Sequence, residues 1–499
     1  MTRFRSALTI SREFCQNCRL ASWQLLVALL VAATIWCLVD VRRRGYAFPE
    51  TPAEHKSDLT VYTEAGAAFF DGRPPYAVCN PRGWTYVYPP LFAMLLAPLH
   101  FLPMQDQVTV WFFACLWMCW GAYREITRIL AVICRPAGDR PPGSRRSVAW
   151  FGVATVVAVT LPALNCLQRG QVTILVLYLL LLGLRLVLSG RTSAARLAGG
   201  IVLAAPVTIK IIPILPVAFV LFIQLAGFLQ QRWRRQPLAA ELGRQLAAAM
   251  SGVGLGLVLF FLLLPAALIG WNANLRHLDT WEHLVLSNAG QSTTTPGFER
   301  DTHSVRNQCL GNALYRLGNF AAYMVAGGPE DPLVDDNNPP PRLMDSPCVD
   351  TCLLFVRMAL LLTLLLVGLR LAGHRDILFA EATGFGLACA ALLVVSPVAR
   401  NHYFVLLAPA VLFVPLWLDG QGASLPARVL AVVPGVLIVA QYLLLPYVGR
   451  IGLLGLGTTG WLMAAMVLLV GSGPSAAQCP AVLPDTVAAP VAAPLGKAA

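Results

Sequence analysis

A few short polar stretches stand out in this chain because nearly everything around them is apolar. The first reads SDLTVYTEAGAAFFDGRPPY over residues 57–76. Its aspartate, Asp58, is of the type that serves as general base towards a hydroxyl. The spacing supports a second reading, since Ser57 or Asp58 is also a natural helix N-cap. Asp58, Tyr62 and Ala65 would then share one helix face. Gly72 and Pro74-Pro75 should end that helix, with Phe69 and Phe70 resting on a membrane surface. Lys210 lies in AAPVTIKIIPILP, a long apolar stretch interrupted by Pro206, Pro213 and Pro216. An ionisable group in such a place is expensive and marks a functional site by default; the alternative is a side chain that snorkels to the interface. Prolines that break the helix ladder are common beside membrane ligand sites. Arg400-Asn401-His402 sets a fixed cation and an imidazole between two apolar runs, or is an ordinary interfacial loop. Gln168-Arg169-Gly170-Gln171 supplies another cation and two amides in the same way. Arg306-Asn307-Gln308 opens an amphipathic stretch (Cys309, Leu310, Ala313, Leu314, Leu317) that also reads as a surface helix packed on a bundle. One carboxylate and several cations suit sugar transfer from a lipid-linked phosphosugar, with cations and amides stabilising the phosphate leaving group. The same set would serve an anion transporter.

The elements that must position these residues follow from composition. The 499 residues are 57% hydrophobic and 12% charged, with a mean hydropathy of +0.65. Soluble proteins carry about 25% charged residues, so a set of soluble domains is excluded. Disorder needs low hydrophobicity and is excluded too. Runs of about 20 apolar residues indicate an all-α polytopic membrane protein. They fall at roughly 22–39, 84–103, 108–130, 148–166, 172–189, 197–212, 213–229, 245–270, 352–372, 377–396, 402–418, 427–446 and 452–472. Polar segments 40–83 and 271–351 interrupt them. The expected organisation is a cytoplasmic N-terminus (1–21), one membrane domain (22–472) and a disordered Ala/Pro-rich tail (473–499). No internal repeat is evident. The run at 23–39 reads as an uncleaved first span, because VRRRG follows it rather than a small-residue cleavage site.

The net charge of +12 fits the positive-inside bias and not nucleic-acid binding, since no basic run is interleaved with aromatics. Basic loops at 124–146, 185–196, 232–244 and 370–375 should be cytoplasmic. With 84–103 as a tilted or re-entrant helix covered by protein, about twelve spans leave both termini inside. Segments 40–83, 167–171, 271–351 and 397–401 then lie outside, with Lys210 near that boundary. Arg42–Arg44 argue for the rival topology, about thirteen spans with the N-terminus outside. The thirteen cysteines are scattered. Cys15 and Cys18 form a CxxC without the second ligand pair that a zinc site needs. Cys37, Cys115, Cys119 and Cys389 read as small hydrophobes. Cys309, Cys348 and Cys352 sit in or beside the long polar loop, where a disulfide is open if that loop faces outside.

Several motifs occur in a familiar order. They are Asp58-Leu-Thr-Val-Tyr62, Gly72-Arg-Pro-Pro-Tyr76, and Tyr88-Pro-Pro-Leu91 through Ala97-Pro98 to Leu102-Pro103. Arg169-Gly-Gln171, Lys210 with Pro213, Asn307-Gln308 with Leu310, and Ser396-Pro397 with His402-Tyr403 follow. This series resembles glycosyltransferase family 87 over roughly residues 22–420. Cys309 departs from the usual Ser, and Arg400-Asn401 stands where an aromatic is common. The resemblance implies a GT-C-type helical bundle whose outer loops hold the active site. It implies an inverting, metal-independent transfer of a sugar, most often mannose and in some members arabinofuranose. The donor would be a polyprenyl-phosphate sugar and the acceptor a lipid or glycan. The site would face outward in a bacterial cytoplasmic membrane, with no cofactor and no nucleic-acid partner. Asp58 matches the family's general base. Lys210, Arg400, His402 and, more weakly, Arg169 are then the candidates to hold the donor phosphate. Tyr62, Tyr88, Gln171, Asn307 and Gln308 are candidate substrate contacts. A secondary transporter would instead call for inverted repeats, and a flippase or polymerase-like partner would need no outer carboxylate.

Overall fold

A backbone in lipid must satisfy its own hydrogen bonds, so apolar runs of this length become helices. The computed structural model describes residues 57–134 except 82, 145–287 except 191, 237 and 238, 307–318 except 315, 347–444 except 375, and 451–471, with Val448 and parts of 24–40. Among the described residues there is no strand, only isolated bridges pairing Cys79 with Thr85 and Asn307 with Arg400. The helices in order are α1 (Leu59–Asp71), α2 (Pro90–Leu96), α3 (Met104–Ile133), α4 (Arg145–Arg169), α5 (Thr173–Ser189), α6 (Ser193–Ile209) and α7 (Ile214–Trp233). Next come α8 (Ala239–Ile269), which contains a π-helical turn at Leu259–Leu263, and α9 (Trp271–Trp281). The last are α10 (Pro347–Ala372), α11 (Ile377–Val395), α12 (Ala408–Gly420, led by a 3₁₀ turn Asn401–Leu407), α13 (Ser424–Leu443) and α14 (Leu453–Gly471).

Eight of the described helices are long and apolar enough to cross a membrane: α4, α7, α8, α10, α11, α12 with its 3₁₀ lead, α13 and α14. The expected figure of about twelve is not reached on this criterion. Helices α5 and α6 are apolar but only 17 residues each. The run at 84–103 gives α2 and a 3₁₀ turn Ala97–Phe101. Together these are roughly 20 Å long, against about 30 Å of hydrocarbon. The N-terminal segment 1–21 with Cys15 and Cys18, Cys37, Arg42–Arg44, Arg306, most of the polar loop and the tail 473–499 lie outside the described residues.

Helices α11 and α12 are almost wholly buried and form the centre of the bundle. Helix α10 turns Leu354, Phe355, Leu362 and Leu366 outward. The tightest contact is between α6 and α8. Gly200 packs there against the Ala249 carbonyl and Gly252 against that of Leu197, so a Cβ at either would collide with backbone. Small residues at such spacing let membrane helices approach closely. One end of the bundle gathers four breaks in helical structure: the start of α1, the α4–α5 turn, the α6–α7 break and segment 396–407. The polar residues singled out above lie mostly at these breaks.

Candidate active site

Asp58 is the N-cap residue of helix α1, and Gly72 just past its end takes a left-handed conformation (φ 72°). The Asp58 side chain makes no capping bond. Its carboxylate instead accepts a hydrogen bond from the Gln171 side-chain amide. The Asp58 backbone N–H donates to the Arg169 carbonyl at 2.7 Å. This pairing depends on the α4–α5 turn. Gly170 has φ 66°, a left-handed conformation that favours glycine. A Cβ there would stand 3.1 Å from Leu59 Cβ and 3.2 Å from Ser57 Oγ. The Trp111 indole donates to the Gly170 carbonyl at 3.0 Å and holds the turn from the other side. The turn therefore delivers both Arg169 and Gln171 to the head of α1.

Lys210 follows the last residue of α6, where Pro213 prevents a continuous helix, while Pro206 is accommodated inside α6. The residue is only 8% exposed. Its Nζ lies 3.5 Å from the centroid of the Tyr403 ring and 5.6 Å from that of Tyr88. That ammonium has no hydrogen-bond partner. His402 is 2% exposed, and neither ring nitrogen has a partner. Lys210, Arg169 and Arg400 all act on its imidazole electrostatically. The Cys166 thiol donates to the His402 carbonyl at 3.4 Å, which ties α4 to the 3₁₀ turn. Arg400 stacks on Trp84, with Cζ 4.3 Å from the ring centroid.

Aromatic rings lie among these charged groups. The hydroxyls of Tyr62 and Tyr88 are 3.4 Å apart, and Tyr88 is within electrostatic reach of Asp58 and Arg400. Burial pushes the Tyr88 phenol up to about 12 and that of Tyr62 well above its ordinary value. Both therefore stay neutral near pH 7 and can donate hydrogen bonds. Asp58, Tyr62, Tyr88, Arg169, Gln171, Lys210, Arg400 and His402 are thus brought to one place. Buried polar groups without partners are rare in folded proteins and call for an explanation. A carboxylate gathered with such an ammonium and imidazole suits a neutral hydroxyl next to an anion.

Asn307 and Gln308 are placed differently. The Asn307 side-chain oxygen accepts from the backbone N–H of Ala399 at 3.0 Å and of Cys309 at 3.4 Å. Gln308 donates from its backbone to Ala399 at 2.7 Å and accepts from Gly455 at 3.3 Å. Both bind the segment that carries Arg400 and His402. The Cys309 thiol donates to the Pro397 carbonyl at 3.1 Å, so it supplies the donor that a serine would. Cys309 and Cys352 are free thiols, and the Cys348 side chain lies outside the described residues. Phe70 is 49% exposed, but Phe69 is not on the surface. It is buried edge-on against Tyr76, Tyr86 and His277, because a 13-residue helix cannot turn adjacent residues to the same side. Sequence reasoning did not single out Trp84, Cys166 or the ring of Tyr403. Only Trp84 had a local signal: Asn80 and Gly83 build a turn in which the Trp84 N–H donates to Asn80 Oδ1 at 3.1 Å.

The model of glycosyltransferase family 87 matches residues 86–397. The chain belongs to glycosyltransferase family 87. It is therefore a glycosyltransferase with membrane helices. Within the family match lie Tyr88, Arg169, Gln171, Lys210, Asn307 and Gln308. Asp58 and Tyr62 precede it, and Arg400 and His402 follow it. No curated protein and no solved structure gives a significant match to the chain.

Proposed function

We propose that this glycosyltransferase moves a sugar, with mannose the leading candidate, from a polyprenyl-phosphate donor to a lipid or glycan acceptor. The transfer takes place at the outer face of the cytoplasmic membrane, in a GT-C-type bundle of about twelve spans. The observation that carries this reading is the buried, unpartnered ammonium of Lys210 beside an equally unpartnered His402, with Asp58 within electrostatic reach of Lys210 and of the Tyr88 ring next to it.

Asp58 takes the proton of an acceptor hydroxyl as that oxygen attacks the anomeric carbon. Attack comes from the face opposite the phosphate, so the configuration inverts. The bond from the anomeric carbon to the phosphate oxygen breaks, and its electron pair leaves with polyprenyl phosphate. Lys210, Arg169, Arg400 and His402 surround that phosphate. Charge-assisted bonds of this kind stabilise a monophosphate leaving group without need of a metal. Gln171 orients the base, while Tyr62 and Tyr88 line the sugar pocket. Asn307 and Gln308 hold the 396–400 segment in place through the Asn307 side-chain oxygen and the Gln308 backbone, and the Gln308 side-chain oxygen is used on Gly455.

The test is turnover in membranes supplied with a polyprenyl-phosphate sugar. Asp58→Asn should abolish transfer at unchanged protein level, and near-normal turnover would remove Asp58 from the mechanism. Lys210→Met should impair use of the donor more than use of the acceptor. A transporter or flippase would keep its activity in the Asp58 variant.

A further inference from the structure

Two contacts of a cation with aromatic rings join the same pair of segments at the site, 84–88 and 400–403. The first runs through Lys210, whose Nζ is 5.6 Å from the Tyr88 ring centroid and 3.5 Å from that of Tyr403. The second is direct: the Arg400 Cζ lies 4.3 Å from the Trp84 ring centroid. Lys210, Tyr88 and Arg400 have roles in the proposed transfer, and Trp84 has none.

Both partners of the second contact stand on fixed backbone. Trp84 closes a tight turn in which the Asn80 N–H donates to the Trp84 carbonyl at 2.9 Å and the Trp84 N–H to Asn80 Oδ1 at 3.1 Å. The Gly83 N–H donates to the Asn80 carbonyl at 2.8 Å, and Gly83 has φ 76°, a conformation that favours glycine. The Tyr86 N–H donates to the Val78 carbonyl at 3.2 Å and, with the Cys79–Thr85 bridge, secures the base of the turn. Arg400 is bridged to Asn307, and its carbonyl accepts from the Tyr403 N–H at 2.8 Å. The long arginine side chain is the one part of this arrangement with many rotamers to lose. A stacked ring restricts them. Stacking engages the flat face of a guanidinium, whereas its N–H donors lie in the plane, at the edge. The Trp84 contact therefore sets the direction of the fork without using its hydrogen-bonding edge.

We propose that Trp84 is a positioning residue of the phosphate site, a platform that presents the edge of the Arg400 guanidinium to the phosphate of the polyprenyl-phosphate donor. This rests on the donor class proposed above and on Arg400 as one of its phosphate ligands. It adds the residue that orients that ligand. The phosphodiester of the donor carries one negative charge, and the polyprenyl phosphate that leaves carries about −1.5 to −2, as phosphate monoesters do. A fork set beforehand meets the added charge without reorganisation. An aliphatic residue at position 84 would keep the charge of Arg400 and lose its orientation.

The experiment measures equilibrium binding of decaprenyl phosphate, and of decaprenol as the same chain without phosphate, to the full chain in nanodiscs. Arg400→Gln should weaken decaprenyl phosphate binding roughly ten- to a hundredfold, the span of hydrogen bonds to a charged group. Trp84→Leu should weaken it roughly two- to thirtyfold, the span of a cation–π contact, and Trp84→Phe should recover most of that loss. In the Arg400→Gln background Trp84→Leu should cause no further loss. Decaprenol binding should be equal in all these variants. Weaker decaprenol binding by Trp84→Leu would make Trp84 a wall of the pocket, and an equal loss with and without Arg400 would make it an independent contact. Either result, or parent-like binding of decaprenyl phosphate by Trp84→Leu, would overturn the assignment. With Arg400→Gln impaired and Trp84→Leu unaffected, only the role of Trp84 falls. Failure of the donor reading looks different and takes both with it: the parent protein would bind decaprenyl phosphate no better than decaprenol.

Discussion

Buried charge occurs at both ends of this bundle, and the two ends are finished differently. At the end away from the site, Glu125 is 3% exposed and accepts from Arg128 at 2.5 Å and from Arg185. Glu381 accepts from Gln224 at 3.0 Å, and Arg196 close by donates to the Gly190 carbonyl at 3.0 Å. Both carboxylates are thus met by side chains of the fold. At the site end the Lys210 ammonium and the His402 imidazole are also buried, yet neither has a hydrogen-bond partner. A buried ion pair that is satisfied internally needs nothing from outside. A buried cation that is not satisfied costs stability, unless an anion arrives to meet it. The same residue types are thus met within the fold at one end and left open at the other.

The largest expected effect tests the site end. Asp58→Asn should lower turnover by roughly 10²–10⁴-fold, the usual contribution of a general base. Thermal stability should barely change, because the Gln171 contact has an amide equivalent. A large loss of stability would instead make Asp58 a structural tie like Glu125. The complementary experiment is Glu125→Ala, read by thermal unfolding in detergent. It leaves Arg185 with an unmatched charge and should cost about 3–5 kcal/mol, with loss of activity only in proportion to loss of folded protein. If Glu125→Ala is as stable as the parent, the contrast between the two ends is lost. Lys210→Met should reduce turnover by roughly 10²–10³-fold, as for removal of one stabilising group at a developing anion. Its melting temperature should hold or rise, since an unmatched buried charge is removed; a clear fall would show that Lys210 supports the fold. The smallest effect concerns the tyrosines. Burial pushes the Tyr88 phenol up to about 12 and that of Tyr62 well above its ordinary value, whereas unfolded tyrosine ionises at about 10. Between those values the unfolded chain loses protons first, so stability falls as pH rises through that window. Below about pH 10 Tyr88→Phe should leave the pH dependence of both stability and turnover unchanged. A shift in the profile near neutrality would mean that Tyr88 titrates in the active site.

Much of the scaffold was legible in the sequence. The runs at 377–396, 402–418 and 452–472 became α11, α12 and α14 with ends shifted by a few residues. The break between Lys210 and Pro213, and the Gly72 stop after α1, were equally visible. These features depend on near neighbours in the chain. The site was legible as a set of residue types and not as a set of contacts. Asp58 had two open readings until Gln171, 113 residues further on, took up its carboxylate. Asn307 and Gln308 looked like substrate amides, yet their side chains are used on the backbone of 309, 399 and 455. Lys210 was conspicuous, but nothing nearby announced that Tyr403 would lie beneath its ammonium.

The sequence by itself determined that this is a helical membrane chain, where most helices break, and that a carboxylate and several cations sit at those breaks. Hydrophobic period, proline and glycine act over a few residues, and such information is local. Which buried polar groups find partners was decided only by the tertiary structure, because partners come from helices distant in the chain. Glu125 is met by Arg185 of α5, while His402 and Lys210 meet neighbours that leave their nitrogens open. Whether a buried charge is a tie or a site is a property of those distant neighbours, so it emerges only when the helices are packed.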